Sequence, residues 1–183
     1  MKIIKLIKLS SILLLLSLFT IVQPANAQRR GKKARKEADK ETVAWRYEIE
    51  AVNTGVQGTY QIKAWSYSNN VETAIEQSKK NAVHGIIFKG FPSKNRVTGQ
   101  KPLARNPNLI KENEAFFEEF FKTGSGNYMQ FVTLANNGQI AAGDRIKISK
   151  KEYKIGVVVS VNVSELRKYL EAEGIIKGLG SGF

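Results

Sequence analysis

From Val43 the chain alternates. Val43, Trp45, Tyr47, Ile49 and Ala51 take one set of positions, and Ala44, Arg46, Glu48 and Glu50 the other. A period of two predicts a half-buried strand. Asn53-Thr54-Gly55 is turn chemistry. A second run follows from Thr59 to Tyr67, with Tyr60, Ile62 and Ala64 set against Gln61, Lys63 and Trp65. The two runs are expected to pair as a hairpin, with Gly55 and Gly58 at a bulge or wide turn near its tip. The strongest strand comes late. Ile155, Val157, Val159, Val161 and Val163 share one face; Gly156, Val158, Ser160 and Asn162 share the other. Shorter strands are expected from Tyr128 to Leu134 and from Arg145 to Ser149. In the latter, Ile146 and Ile148 should point inward and Arg145 and Lys147 outward.

Between these runs the period changes. Ser68-Asn69-Asn70 offers N-caps for a helix from Val71 to His84. Its inner stripe would be Val71, Ala74, Ile75, Ser78, Ala82 and Val83 or Ile86. Small residues every fourth position let such a helix lie close on a sheet. Gly85 is the expected stop, with Ile86 to Phe88 as a short strand. Residues 89–107 hold three Pro and two Gly and are expected to form a loop. A second helix should run from Asn108 to Lys122, burying Leu109, Ile110, Phe116, Phe117, Phe120 and Phe121. Ser164 is the expected cap of a last helix containing Leu166, Tyr169 and Leu170, closed by Gly174 with Ile175 against Leu170. The order β-β-α-loop-α-β-β-β-α predicts an α+β fold, with a mostly antiparallel sheet and about three helices packed on one face.

The first 41 residues follow other rules. Lys2, Lys5 and Lys8 precede an uncharged run of 14 residues, Leu9 to Val22. A membrane-spanning helix needs about 20. Pro24 and the small-x-small triplet Ala25-Asn26-Ala27 follow. This pattern is that of a secretory signal over residues 1–27, cleaved before Gln28 and leaving no transmembrane helix. Residues 28–41 carry Arg29, Arg30, Lys32, Lys33, Arg35, Lys36 and Lys40, and their only apolar residues are alanines. They are expected to form a flexible basic arm, turning helical near the domain. One α+β domain should occupy 42–177, and residues 178–183 a flexible Gly-rich tail. In this succession of signal, short arm and compact α+β module, the chain resembles exported envelope proteins of diderm bacteria. The resemblance is architectural, spans residues 1–183 loosely and carries no functional residue across. It implies an exported protein, periplasmic or envelope-associated.

Composition narrows the chemistry. The 183 residues include no Cys and one His. That excludes disulfides, thiolate catalysis, Cys-ligated zinc and iron–sulfur clusters, along with multi-His metal sites within one chain. No cofactor and no metal are expected. Lys and Arg number 29 against 16 Asp and Glu, for a net charge of +13. Loss of three leader lysines leaves +10, of which residues 28–40 hold +5.

Candidate catalytic groups are few. His84 lacks a neighbouring acid and is expected to cap carbonyls or sit half-buried. Glu112, Glu114, Glu118 and Glu119 lie opposite the Phe stripe, on what reads as a solvated face. The clearest feature is electrostatic. Between Glu76 and Glu112 no acidic residue occurs. Lys79, Lys80, Lys89, Lys94, Arg96, Lys101, Arg105 and Lys111 lie in that window and should create a positive potential. Phe88 and Phe91 are interleaved with them as stacking candidates. Two readings stay open for this segment: a soluble mobile loop, or an anion-binding site formed by Lys79, Lys80, Lys89, Lys94, Arg96, Lys101 and Arg105. The arm likewise is either a spacer or an adhesive, through Arg29, Arg30, Lys32, Lys33, Arg35 and Lys36.

The leading expectation is a non-enzymatic exported envelope module that binds or scaffolds. It would engage an anionic envelope component or an envelope protein, with peripheral membrane contact; export disfavours nucleic acid. One alternative is a small envelope-polymer hydrolase using a helix-borne Glu. Another is a subunit of a secretion or surface assembly, using an edge strand or the Phe-rich helix as its interface.

Overall fold

The computed structural model describes residues 25–42, 44–56, 58–94 and 96–178. Residues 1–24 of the expected signal, the start of the first alternating run at Val43, and the expected tail beyond Gly178 lie outside the described residues. The chain divides after Lys32 into two units, and of the first only residues 25–32 are described. Helix α1 spans Ala25–Glu41. Strands β1 (Tyr47–Thr54), β2 (Thr59–Ser68), β3 (Val132–Leu134), β4 (Arg145–Lys147) and β5 (Tyr153–Asn162) form one sheet. Helices α2 (Val71–Phe88), α3 (Leu109–Glu112), α4 (Glu114–Phe120) and α5 (Val163–Ala172) complete an α+β architecture.

The sheet runs β1-β2-β5-β3, with β4 also pairing β5, and all four pairings are antiparallel. The β2–β5 ladder places Ile62 opposite Val159, Ala64 opposite Val157 and Ser66 opposite Ile155. All six side chains are fully buried. Each large aliphatic removed from water in this way stabilises by roughly 1.5–3 kcal/mol. The alternation in β1, β2 and β5 therefore does what its period demands. Helix α2 lies on this inner face, with Ala74, Ser78 and Ala82 fully buried beneath it. Ser78 Oγ donates to the Ala74 carbonyl at 2.7 Å and lies 3.1 Å from Ser66 Oγ on the sheet. Asn70 caps the helix, its Oδ1 accepting from the amides of Glu72 and Thr73 at 2.7 and 3.3 Å.

Several expectations are corrected. Helix α2 does not stop at Gly85 but continues through Phe88, so no strand forms at Ile86. Gly85 instead leaves room for Ile49 of β1: a Cβ there would lie 2.5 Å from Ile49 Cδ1, which would have to shift. The stop is Gly90, in the left-handed region at φ 66°, whose amide donates to Gly85 O at 2.7 Å. The Asn108–Lys122 helix breaks at Asn113 (φ −127°, ψ 41°) into α3 and α4. The Tyr128 run is a 3-10 turn over Asn127–Phe131, and only Val132–Leu134 is extended. Strand β1 begins at Tyr47 because Trp45 turns into the left-handed region (φ 46°) and its amide donates to Thr42 O at 2.9 Å. Asn162, not Ser164, caps α5, accepting from the Glu165 amide at 3.1 Å.

The arm differs most from expectation. The arm expected to be flexible and to turn helical only near the domain is helical over Ala25–Glu41, and Ala34, Ala38 and Thr42 are buried. Large apolar side chains are not required here, because alanine lets a helix backbone approach closely. Asp39 fixes the approach. It accepts from Lys80 Nζ at 2.9 Å, from Thr123 Oγ1 at 2.5 Å and from the Thr123 amide at 3.3 Å.

Candidate functional site

The outward side of α1 is cationic because the inward side takes the alanines. Lys33, Arg35, Lys36 and Lys40 are exposed, as are Arg29, Arg30 and Lys32 in the first unit. Arg35 reaches Glu76 at 4.0 Å. Among the described residues, none of the other six makes an ion pair. With Asp39 turned to Lys80, Glu37 is the one acid left among Lys33, Lys36 and Lys40, so this stretch keeps a net positive charge.

The cationic window after Glu76 is less bare in space than in sequence, because the fold brings carboxylates from elsewhere. Lys79 pairs with Glu76 at 2.9 Å. Lys80 is buried and held by Asp39. Lys94 reaches Glu50 of β1 at 2.5 Å. Lys89 lies over the Tyr47 ring, 3.8 Å from its centroid, and its partial burial lowers its pKa. Lys79, Lys80 and Lys94 are thus paired with carboxylates, and the set splits. Arg96, Lys101 and Arg105 remain exposed and without an ion pair among the described residues.

The loop bearing them is packed. Phe91 and Gln100 form an antiparallel bridge, as do Lys94 and Val97. Phe91, Val97, Leu103 and Ala104 are buried. The amides of Leu103 and Ala104 donate to Ile86 and Ile87 carbonyls at 3.2 and 2.9 Å, satisfying the last turn of α2. Phe91 packs on Tyr60, with centroids 5.4 Å apart, and Phe88 packs on Phe117 at 5.2 Å. These contacts use both rings in the core, so neither is a stacking platform.

His84 is more enclosed than a helix-end cap. It is 6% exposed, and its Nδ1 shares a 2.5 Å hydrogen bond with the Tyr47 hydroxyl. Trp45, Phe88 and Phe121 surround the ring. Burial, with the Lys89 and Lys80 charges behind it, pushes its pKa down to about 3. Burial likewise raises the Tyr47 phenol far above its ordinary range. A neutral imidazole bonded to a neutral phenol in an aromatic box has no acid to orient it and no open side for a substrate.

The carboxylates are also accounted for. Glu112, Glu114, Glu118 and Glu119 are all exposed; Asn106 Nδ2 donates to Glu112 at 2.7 Å, and Lys122 pairs with Glu119 at 3.0 Å. A depression beside β1 is lined by Glu41, Arg46, Tyr67 and Glu152, among others. Burial raises the Glu41 pKa, but Gln77 Nε2 donates to it at 2.7 Å. Arg46 holds Glu152 through two hydrogen bonds of 3.0 and 3.1 Å. Both acids are engaged in structure. No group of three or more His, Cys, Asp or Glu could hold a metal ion among the described residues. No described helix is long and apolar enough to cross a membrane.

The β4 segment faces opposite to the side that its sequence predicts. Ile146 and Ile148 do not point inward; they are 45% and 48% exposed. Alternation alone cannot say which face is buried, since register decides it. Ile146 pairs with Lys154, whose partner on β2 is Tyr67, and it follows Lys154 onto the outer face. Arg145, Lys147, Lys150 and Lys151 are exposed around the two isoleucines. The run RIKISKK, with four cations and no acid, was the available signal.

No protein-family model matches the chain, and no curated protein or solved structure matches it.

Proposed function

We propose that the protein is a non-enzymatic, exported module of the cell envelope that binds or scaffolds by presenting cationic side chains to an anionic partner. The carrying observation is the outward side of α1, where Lys33, Lys36 and Lys40 stand exposed and unpaired on a helix docked through Ala34, Ala38 and Asp39. Arg29, Arg30 and Lys32 extend the same basic run. Each Lys or Arg near acidic lipid contributes about 1 kcal/mol, screened over about 10 Å at 0.1 M salt. Arg96, Lys101 and Arg105 supply a second cationic set on a packed loop. The lysine-flanked apolar run before Ala25-Asn26-Ala27 supports export. Outward or engaged carboxylates and a neutral, enclosed His84 support binding over catalysis. The partner is an anionic envelope component, reached by peripheral membrane contact, or an acidic envelope protein.

Cell fractionation and co-sedimentation with phosphatidylglycerol vesicles test this reading. The protein should leave the cytosol with Gln28 as its first residue. It should bind at low salt and release at high salt. Replacing Lys33, Lys36 and Lys40 with Gln should cut binding on the order of 100-fold at low salt. A cytosolic protein, or binding indifferent to salt and to these lysines, contradicts it.

A further inference from the structure

We infer that the tip of the β4–β5 hairpin is a wedge that seats in the interface of an anionic lipid bilayer. This rests on the anionic-surface reading above and names lipid as the partner. Four large hydrophobic side chains are exposed among the described residues: Val52, Val56, Ile146 and Ile148. The two valines lie by the β1–β2 turn, in a run of Asn53, Thr54 and Gly55 with no cation. The two isoleucines alternate with Arg145 and Lys147 and are followed, after Ser149, by Lys150 and Lys151.

The acids flanking this run do not neutralise it. Asp144 is held by Lys63 at 2.7 Å, and Glu152 by Arg46. The Arg145 guanidinium lies over Tyr153, 4.5 Å from its centroid. Lys147, Lys150 and Lys151 make no ion pair among the described residues. The tip is also ordered. The amides of Ile148 and Ser149 both donate to Glu152 O, at 3.0 and 3.1 Å, and the Lys151 amide donates to Ser149 Oγ at 3.2 Å. The isoleucines thus project from one side of the hairpin and Arg145 and Lys147 from the other, with Lys150 and Lys151 on the closed turn at its tip.

This pairing selects its partner. A soluble polyanion satisfies lysines but offers two isoleucines nothing apolar. A bilayer interface supplies headgroup phosphate and acyl chain within one side-chain length. Lysine stems can lie along the apolar layer while their ammonium groups stay at the phosphates.

The chain has no cysteine, so Ile148→Cys and Val56→Cys each create one attachment point for a polarity-sensitive nitrobenzoxadiazole dye. The protein is used in the form that accumulates in the producing cell, with vesicles of phosphatidylglycerol and phosphatidylcholine at 1:3. Dye at 148 should shift to the blue and brighten, and dye at 56 should not. Ile146→Ser/Ile148→Ser should weaken vesicle binding about tenfold and leave binding to soluble polyphosphate unchanged. Lys147→Gln/Lys150→Gln/Lys151→Gln should weaken both. If vesicles bind while dye at 148 stays unshifted, the wedge is wrong and the anionic reading stands. A blue shift without lipid that grows with protein concentration marks pairing of two copies and also overturns the wedge. Failure to bind either vesicles or polyphosphate removes the anionic reading itself.

Discussion

The imidazole of His84 and the indole of Trp45 stack with centroids 3.6 Å apart and planes inclined by 16°. Trp45 reaches this position from a left-handed backbone (φ 46°) that a bulky side chain rarely adopts. The strain is retained at the junction of α1 and β1, where the ring also meets Phe121 edge-on at 5.1 Å. The box it closes keeps His84 neutral, and this has a measurable consequence.

His84 has its pKa depressed to about 3, against an ordinary value of 6.5. The unfolded chain therefore takes up a proton that the folded one refuses. The contribution to stability is complete above pH 6.5 and is lost as pH falls toward 3. Between pH 6.5 and 4.5 this group should cost about 2–3 kcal/mol. Urea unfolding at pH 7 and pH 4.5 should show a steeper loss in the wild type than in His84→Gln, though the variant starts less stable. Equal slopes would contradict the assignment.

Asp39 ties α1 to both α2 and the Thr123 turn. Asp39→Ala leaves the buried Lys80 ammonium unpaired and should cost about 1–3 kcal/mol, at the lower end because the aspartate is itself partly exposed. Adding Lys80→Met should recover part of that loss. A double-mutant cycle by thermal unfolding checks the coupling, and trypsin should cleave after Arg35 or Lys36 faster in Asp39→Ala.

Gly90 should not tolerate a side chain. Its φ of 66° disfavours any Cβ, and a Cβ there would lie 2.9 Å from Pro102 Cδ. Gly90→Ala should destabilise by about 2–4 kcal/mol, measured by urea unfolding. Gly174, also at positive φ (69°) but with open space around it, should lose only about 1 kcal/mol on the same change.

The seven candidate cations of the acid-free window should separate cleanly. Arg96→Gln/Lys101→Gln/Arg105→Gln should leave stability within about 0.5 kcal/mol of wild type and lower affinity for anionic vesicles. Lys80→Gln should do the reverse, because its ammonium works inside the fold. Thermal unfolding and vesicle sedimentation on the same variants check this.

What was legible in the sequence follows from the range over which each signal acts. Strands β1, β2 and β5 and helix α2 announce themselves through Ile62, Ala64, Val157, Ala74 and Ser78, whose spacing is local. The arm was misjudged because Ala34 and Ala38 look inert until a partner surface is present. The basic window looked unpaired because Asp39 and Glu50 are distant in the chain from Lys80 and Lys94. Gly85 reads as a stop, yet it answers to Ile49 on another element. The exposure of Ile146 depends on its register with Lys154, which no alternation specifies.

Helix α1 is fastened at Ala34, Ala38 and Asp39, so Lys33, Lys36 and Lys40 are held at constant spacing. A disordered tail would lose backbone freedom on meeting a charged sheet of phosphates, by roughly 1–2 kcal/mol for each residue immobilised. A preformed rod has already surrendered that freedom during folding. Titration calorimetry should accordingly show little heat-capacity or entropic penalty from this segment on contact, and its grip should weaken only gently on warming.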